Sequence, residues 1–219
     1  MEKELGIVFA GGAGPGPEDF RLLVADRMDG ALCVAADSGL LLAHALGVRP
    51  DWVVGDMDSL DDETLLLGYP DRVIRHPVEK DLSDTELALD LLRQKGCTEL
   101  WIIGGGGGRI AHSFAIRDLF EREDFPQRWI TENADIRCLD SGTPGGLSAR
   151  MPPGRKVSVF PLAAGPWQAS SSGLQWPLEG LDWKRGFNGL SNAAVEETVC
   201  LRAEKGRFLV VLENLCRQS

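Results

Sequence analysis

Asp56 and Asp58 stand one residue apart behind a short apolar run, Trp52-Val53-Val54-Gly55. Alternate residues of extended backbone point the same way, so both carboxylates can face one cation. Hard divalent ions such as Mg²⁺ take oxygen ligands and commonly combine one or two carboxylates with substrate phosphates. Taken alone, the pair serves equally well as turn-forming or helix-capping acids. A second group, Lys80-Asp81-Leu82-Ser83-Asp84, precedes an amphipathic stretch. Ser83 with Glu86 three positions on predicts a capping box, and acids beside a helix start complement its partial positive charge. That accounts for Ser83, but not for Lys80 and further acids gathering there. Carboxylates brought close to Asp56 and Asp58 would repel, and a divalent cation relieves the repulsion. The third group is the run Gly104–Gly108 with Arg109. Glycines after a strand let backbone amides approach an anion, and an arginine fork suits phosphate oxygens. No Lys-Ser or Lys-Thr follows, so the run is not a P-loop, and the acid of a dinucleotide fingerprint is missing. The loop Gly11–Gly16 is a weaker phosphate candidate.

These groups need elements to hold them. Leu5–Ala10, 31–35, 51–55, 72–74 and 99–103 read as strands, and helical patterns follow most of them: from Pro17, through 38–47, from Ser83 to a stop at Gly96, and through Phe120. Strand–helix alternation predicts a Rossmann-like parallel sheet with helices on both faces. Every polar group above, with Asp37, follows a predicted strand, and ligands of such sheets bind beyond the strands' carboxyl ends. From about residue 130 the pattern changes. WITENADIRCLD, KVSVFPL, ETVCLRAE and GRFLVVLE read as strands, with Lys205-Gly206 as a hairpin turn between the last two. The expected organisation is an α/β domain over 1–130 and a smaller antiparallel β-sandwich or barrel over 131–219. Trp167, Trp176, Trp183 and Phe187 concentrate aromatic area there; at least two suit a core, and one would suit a flat heteroaromatic ligand. His44 and His112 read as structural, and His76 as a crevice-lining candidate.

Composition narrows the classes. The net charge of −10 and the lack of a basic run argue against nucleic acid or anionic membrane as partners. No run approaches the ~18 apolar residues of a membrane span, and no signal peptide is legible. Five scattered cysteines, none in a CxxC pair, argue against a disulfide framework or zinc site. The expected location is cytoplasmic.

Six segments taken in order, ADSG (36–39), PDWVVGDMDS (50–59), EKDLSDTELAL (79–89), GGGGGRIAH (104–112), SGLQWPL (172–178) and GLSN (189–192), resemble the thiamine pyrophosphokinase family. The resemblance implies an α/β nucleotide-binding domain followed by a β domain, and a reaction in which the hydroxyl of thiamine attacks the β-phosphorus of ATP and AMP leaves. It implies that Asp56, Asp58 and Asp84 bind Mg²⁺ and phosphates, supported by Asp81 and Ser83. Asp37, Lys80, Gly105, Gly108 and Arg109 fall in the ATP crevice, and Trp176, Ser191 and Asn192 at thiamine. A homodimer sharing the thiamine pocket is implied as well. Two positions depart from the pattern: Ala111 where an acid is usual, and Leu41 where an asparagine is usual. A DxD-type nucleotide-sugar transferase, or a thiamine-binding relative without turnover, are the alternatives.

Overall fold

In the computed structural model, residues 5–60, 62–108 and 110–213 are described. They form two compact units. One comprises residues up to Ile116 together with Trp129–Glu132; the other comprises Arg117–Arg128 and the residues from Asn133.

The first unit contains strands β1 (Leu5–Ala10), β2 (Leu32–Ala36), β3 (Trp52–Gly55), β4 (Val73–Arg75), β5 (Glu99–Gly104) and β6 (Arg128–Ile130), in the spatial order β6-β5-β1-β2-β3-β4. β5, β1, β2, β3 and β4 are parallel. β1 and β2 are buried along their whole length, as expected of strands covered on both faces. Leu5, Ile7 and Phe9 of β1 pack with Phe20 and Val24 of α1 (Pro17–Val24) and Ala43 of α2 (Gly39–Ala45). Gly6, which points the other way, meets Leu92 of α3 (Asp84–Gln94). The predicted capping box at the start of α3 is present in both directions: Glu86 N–H donates to Ser83 Oγ at 3.3 Å, and Ser83 N–H to Glu86 Oε2 at 2.8 Å. A fourth helix, α4 (Ile110–Leu119), follows the glycine run.

The second unit is a β-sandwich. β11 (Gly189–Ala193), β9 (Lys156–Leu162), β13 (Arg207–Glu213) and β7 (Ala134–Asp140) make one antiparallel layer in that order; β10 (Gln168–Ser172), β12 (Thr198–Lys205) and β8 (Leu147–Arg150) make the other. Val157, Val159, Phe208, Val210 and Leu212 of the first layer pack with Leu147, Ala149, Ala169, Val199 and Leu201 of the second. Trp183 joins this core, with its ring edge-on to Phe187 and Phe208. Asp135 is fully buried between two arginines: Arg128 donates to both its oxygens at 2.7 Å, and Arg137 donates twice to Oδ2 at 2.9 and 2.7 Å. Burial alone would raise this carboxyl, but the arginines outweigh it and hold Asp135 below the usual carboxylate range.

Two expectations are corrected. The stretch read as one strand from Trp129 divides into β6 and β7, because Thr131–Asn133 leaves the extended path. Lys205-Gly206 does not close a hairpin: β12 pairs with β8 and β10, whereas β13 pairs with β7 and β9. Gly206, at φ 75°, turns the chain from one layer to the other. Val199, Leu201 and Ala203 of β12 and Phe208, Val210 and Leu212 of β13 meet across the sandwich rather than side by side in one layer.

Candidate active site

Parallel strands deliver their carboxyl ends to one edge, and the candidate site lies there. Asp37 follows β2 and adopts φ 48°. Its N–H donates to Val54 O at 2.9 Å and its carbonyl accepts from Leu40 N–H at 3.1 Å, which fixes the turn into α2. Asp56 and Asp58 follow β3, separated by Met57, which is buried at φ 67°. The left-handed residue breaks the extended run after Gly55, and Asp58 N–H folds back onto Asp56 Oδ1 at 3.2 Å. Carboxylate oxygens of Asp37, Asp56 and Asp58 come within 4.8 Å of one another. Asp37 is only 8% exposed, and its buried Oδ1 accepts no hydrogen bond among the described residues. Such an acceptor costs desolvation energy unless something else compensates it. An acidic, all-oxygen donor set with one orphaned oxygen fits a hard divalent cation.

Lys80 and Asp84 complete the cluster. Lys80 Nζ donates to Asp56 Oδ2 at 2.7 Å and lies 3.1 Å from Asp84 Oδ1. The hydrogen bond from Lys80, with that from Asp58 N–H, holds Asp56 below the usual carboxylate range. Burial pushes Asp84 above it, against the pull of Lys80 and with the negative charges of Asp56 and Asp37 acting the same way. Burial alone would lower the Lys80 ammonium, but its bonds to Asp56 and Asp84 outweigh that and raise it. Gly55 makes the approach possible. A Cβ there would stand 3.1 Å from Asp37 Cβ and 3.2 Å from Asp84 Cγ and Oδ1, on a backbone at φ 150°. Its carbonyl also accepts from His76 N–H at 2.9 Å, which ties the ends of β3 and β4 together.

The glycine run leaves β5 on the same edge. Ala13 and Gly106 exchange two backbone hydrogen bonds of 2.7 and 2.9 Å, joining the loop after β1 to the loop after β5. The indole of Trp129 donates to Gly104 O at 2.7 Å. Glu132 packs so closely on the run that a Cβ on Gly106 would fall 1.9 Å from its Oε2. Gly104, Gly105 and Gly107 all have positive φ. Trp129 and Glu132 therefore shape this loop, and sequence reading missed both. Their only local signal was a tryptophan and an acid at the end of an apolar run.

The remaining expected residues divide as follows. Ser83 is occupied as the cap of α3. Asp81 is exposed and stands outside the three-carboxylate group, as does Asp84. Gly105 is buried and Gly108 exposed; Arg109 lies outside the described residues. In the second unit, Trp176 is 55% exposed, and Ser191 is exposed at φ 58° with its N–H on Ser158 Oγ. Asn192 is buried. Its Oδ1 accepts from Trp176 N–H at 3.1 Å and Ala193 N–H at 2.9 Å, and its Nδ2 donates to Trp176 O at 2.6 Å. The amide is thus engaged in holding the backbone of Trp176. Trp183 belongs to the core, and Trp167 and Phe187 pack against it. His44 bonds Tyr69 Oη at 2.7 Å, and the two rings stack.

With the geometry in place, the chain can be set beside known proteins. Residues 28–127 match the family described as thiamin pyrophosphokinase, catalytic domain. The fold resembles thiamine pyrophosphokinase from Bacillus subtilis, with a TM-score of 0.75 at 22% identity, over 96% of this chain and 98% of the other. Thiamin pyrophosphokinase from Geobacillus thermodenitrificans gives 0.73 at 24% identity over 98% of each chain. That from Candida albicans gives 0.71 at 15% identity, over 97% of this chain and 90% of the other. No curated protein sequence matches. The likeness read from six ordered segments thus extends to a family match over the strand-end loops that carry the carboxylates, and to a common fold. Among the described residues no helix is long and apolar enough to cross a membrane.

Proposed function

We propose that this chain, similar to the thiamin pyrophosphokinases in its matched segment and in its fold, transfers diphosphate from ATP to the hydroxyl of thiamine and releases AMP. The observation that carries the reading is the group of Asp37, Asp56 and Asp58 on adjacent strand ends, with a buried carboxylate oxygen left without a donor. Phosphoryl-type transfer asks little covalent chemistry of a protein; positioning and charge neutralisation dominate. Asp37, Asp56 and Asp58, with Asp84 beside them, would hold Mg²⁺. When bound, the ion screens the polyphosphate charge and polarises its oxygens. The glycine run, braced by the Ala13–Gly106 bridge, offers backbone to the nucleotide, with Gly105, Gly108 and Arg109 as its contacts. One carboxylate, Asp81 or Asp84, is proposed to accept the proton of the attacking hydroxyl. The exposed ring of Trp176 is proposed to stack on thiamine, Ser191 to add a hydroxyl, and Asn192 to set the position of Trp176. In the same reading two copies of the chain share the thiamine pocket, in the cytoplasm.

The test is AMP formation by purified protein with ATP and Mg²⁺, with and without thiamine. Thiamine-dependent AMP with equimolar thiamine diphosphate is expected. Folded protein that releases no AMP, or releases it independently of thiamine, would refute the reading.

A further inference from the structure

Lys80 stands where a metal-binding cluster should not need it. Its side chain is 14% exposed, and its ammonium lies 2.7 Å from Asp56 Oδ2 and 3.1 Å from Asp84 Oδ1. It therefore bridges one member of the Asp37–Asp56–Asp58 group, Asp56, to Asp84 beside it and offsets part of their negative charge. Mg²⁺ binds carboxylate oxygen at about 2.1 Å, so an ion on Asp56 and an ammonium on the same carboxylate would sit within roughly 5 Å of each other. Two cations that close repel strongly in a partly buried setting. A lysine, unlike an arginine, is a point charge on a flexible four-carbon stem and can change partners without giving up a planar fork.

We infer that Lys80 is an exchangeable counter-ion: it holds Asp56 and Asp84 together while no metal is present, is released from Asp56 when a divalent cation arrives, and then turns to the anionic oxygens of the nucleotide. The exchange rests on the divalent-cation reading of the site, and not on the identity of the acceptor. It has two consequences. Metal alone binds weakly, because it must displace an ion pair that the fold already satisfies. Metal and nucleotide bind cooperatively, because the displaced ammonium gains new partners only when phosphate is present, and the coupling is reciprocal.

The experiment is titration of the full chain with Mn²⁺, followed by its electron paramagnetic resonance signal, first alone and then with a non-hydrolysable ATP analogue. Lys80→Gln should bind Mn²⁺ alone at least tenfold more tightly than the unaltered chain, and the analogue should tighten that binding less than in the unaltered chain. Lys80→Arg, which keeps the charge, should show no such gain. Unchanged or weaker Mn²⁺ binding by folded Lys80→Gln would overturn the inference. Should Lys80→Gln lose its fold in chelator, Mn²⁺ is expected to restore the melting transition, and failure to restore it would also count against the exchange. The reading of the reaction fails separately: thiamine-dependent AMP would be absent while the Mn²⁺ behaviour remained as stated.

Discussion

Gly55→Ala is the perturbation that probes the carboxylate cluster without removing a charge. At φ 150° the backbone lies where residues with a Cβ are rarely found, which costs about 1–3 kcal/mol. The added methyl would stand 3.1 Å from Asp37 Cβ and 3.2 Å from Asp84 Cγ and Oδ1. These neighbours are closer than ordinary contact and must yield by a few tenths of an ångström. Neither can yield easily: Asp37 is fixed by its backbone bonds to Val54 and Leu40, and Asp84 is the first residue of α3. The first unit should lose about 2 kcal/mol, near the middle of that strain range. With a urea m-value of roughly 2 kcal/mol/M, the midpoint moves down by about 1 M. Parting Asp37 from Asp84 should also weaken Mn²⁺ binding by about tenfold, or ~1.4 kcal/mol. Gly68→Ala is the control, because a Cβ there meets nothing within 4 Å and no positive φ is involved; it should stay within about 0.5 kcal/mol of the unaltered chain. Urea unfolding followed by the tryptophans of the first unit, paired with Mn²⁺ titration, reads both effects. A Gly55→Ala chain with the midpoint and Mn²⁺ affinity of the control would refute this account of how the carboxylates are brought together.

Asp58→Asn should abolish Mg²⁺-dependent AMP formation while leaving the urea midpoint unchanged; residual turnover comparable with the unaltered chain would take Asp58 out of the site. Trp176→Ala should weaken thiamine by about 1–3 kcal/mol and ATP far less, as measured by separate KM values; equal losses would mark the ring as structural. Asp135→Asn should cost the β-sandwich about 3–5 kcal/mol at neutral pH, since it strands two arginines around a buried neutral group. The folded carboxyl lies below its unfolded value, so the contribution of Asp135 is complete above the unfolded pKa of about 3.9 and is lost as pH falls through the lower folded value. Unfolding midpoints of both chains should therefore converge in that acid range; a constant difference down to the lowest pH would contradict the assignment.

The parallel half was legible because its signals are local. β1 and β2 are short apolar runs, Ser83 and Glu86 announce α3, and strand-end topology places Asp37, Asp56 and Asp58 on one edge without any knowledge of contacts. The sandwich was less legible. β10 (QASSS) and β11 (GLSNA) carry few apolar residues and take their conformation from partners distant in sequence. Lys205-Gly206 has the composition of a hairpin turn, yet pairing partners, rather than the turn, decide where β12 and β13 go. In the site, Trp129 and Glu132 were missed because their contacts with Gly104 and Gly106 cross about 25 residues of chain. Asn192 was expected at thiamine; its amide is engaged by the backbone of Trp176, 16 residues away, a contact that no local signal announces.

That last arrangement has a thermodynamic side. Asn192 reads both the N–H and the C=O of Trp176, much as a neighbouring strand would, while the indole itself stands in solvent. Immobilising a side chain on association commonly costs about 0.5–1.5 kcal/mol, and ordering its backbone costs more. Here the backbone share is met when the sandwich folds. Whatever ring or surface meets Trp176 has only two side-chain torsions left to arrest. An exposed aromatic on a pinned main chain is thus a contact whose backbone entropy is spent before the encounter, and the buried Asn192, next to the exposed Ser191 in β11, is what makes it so.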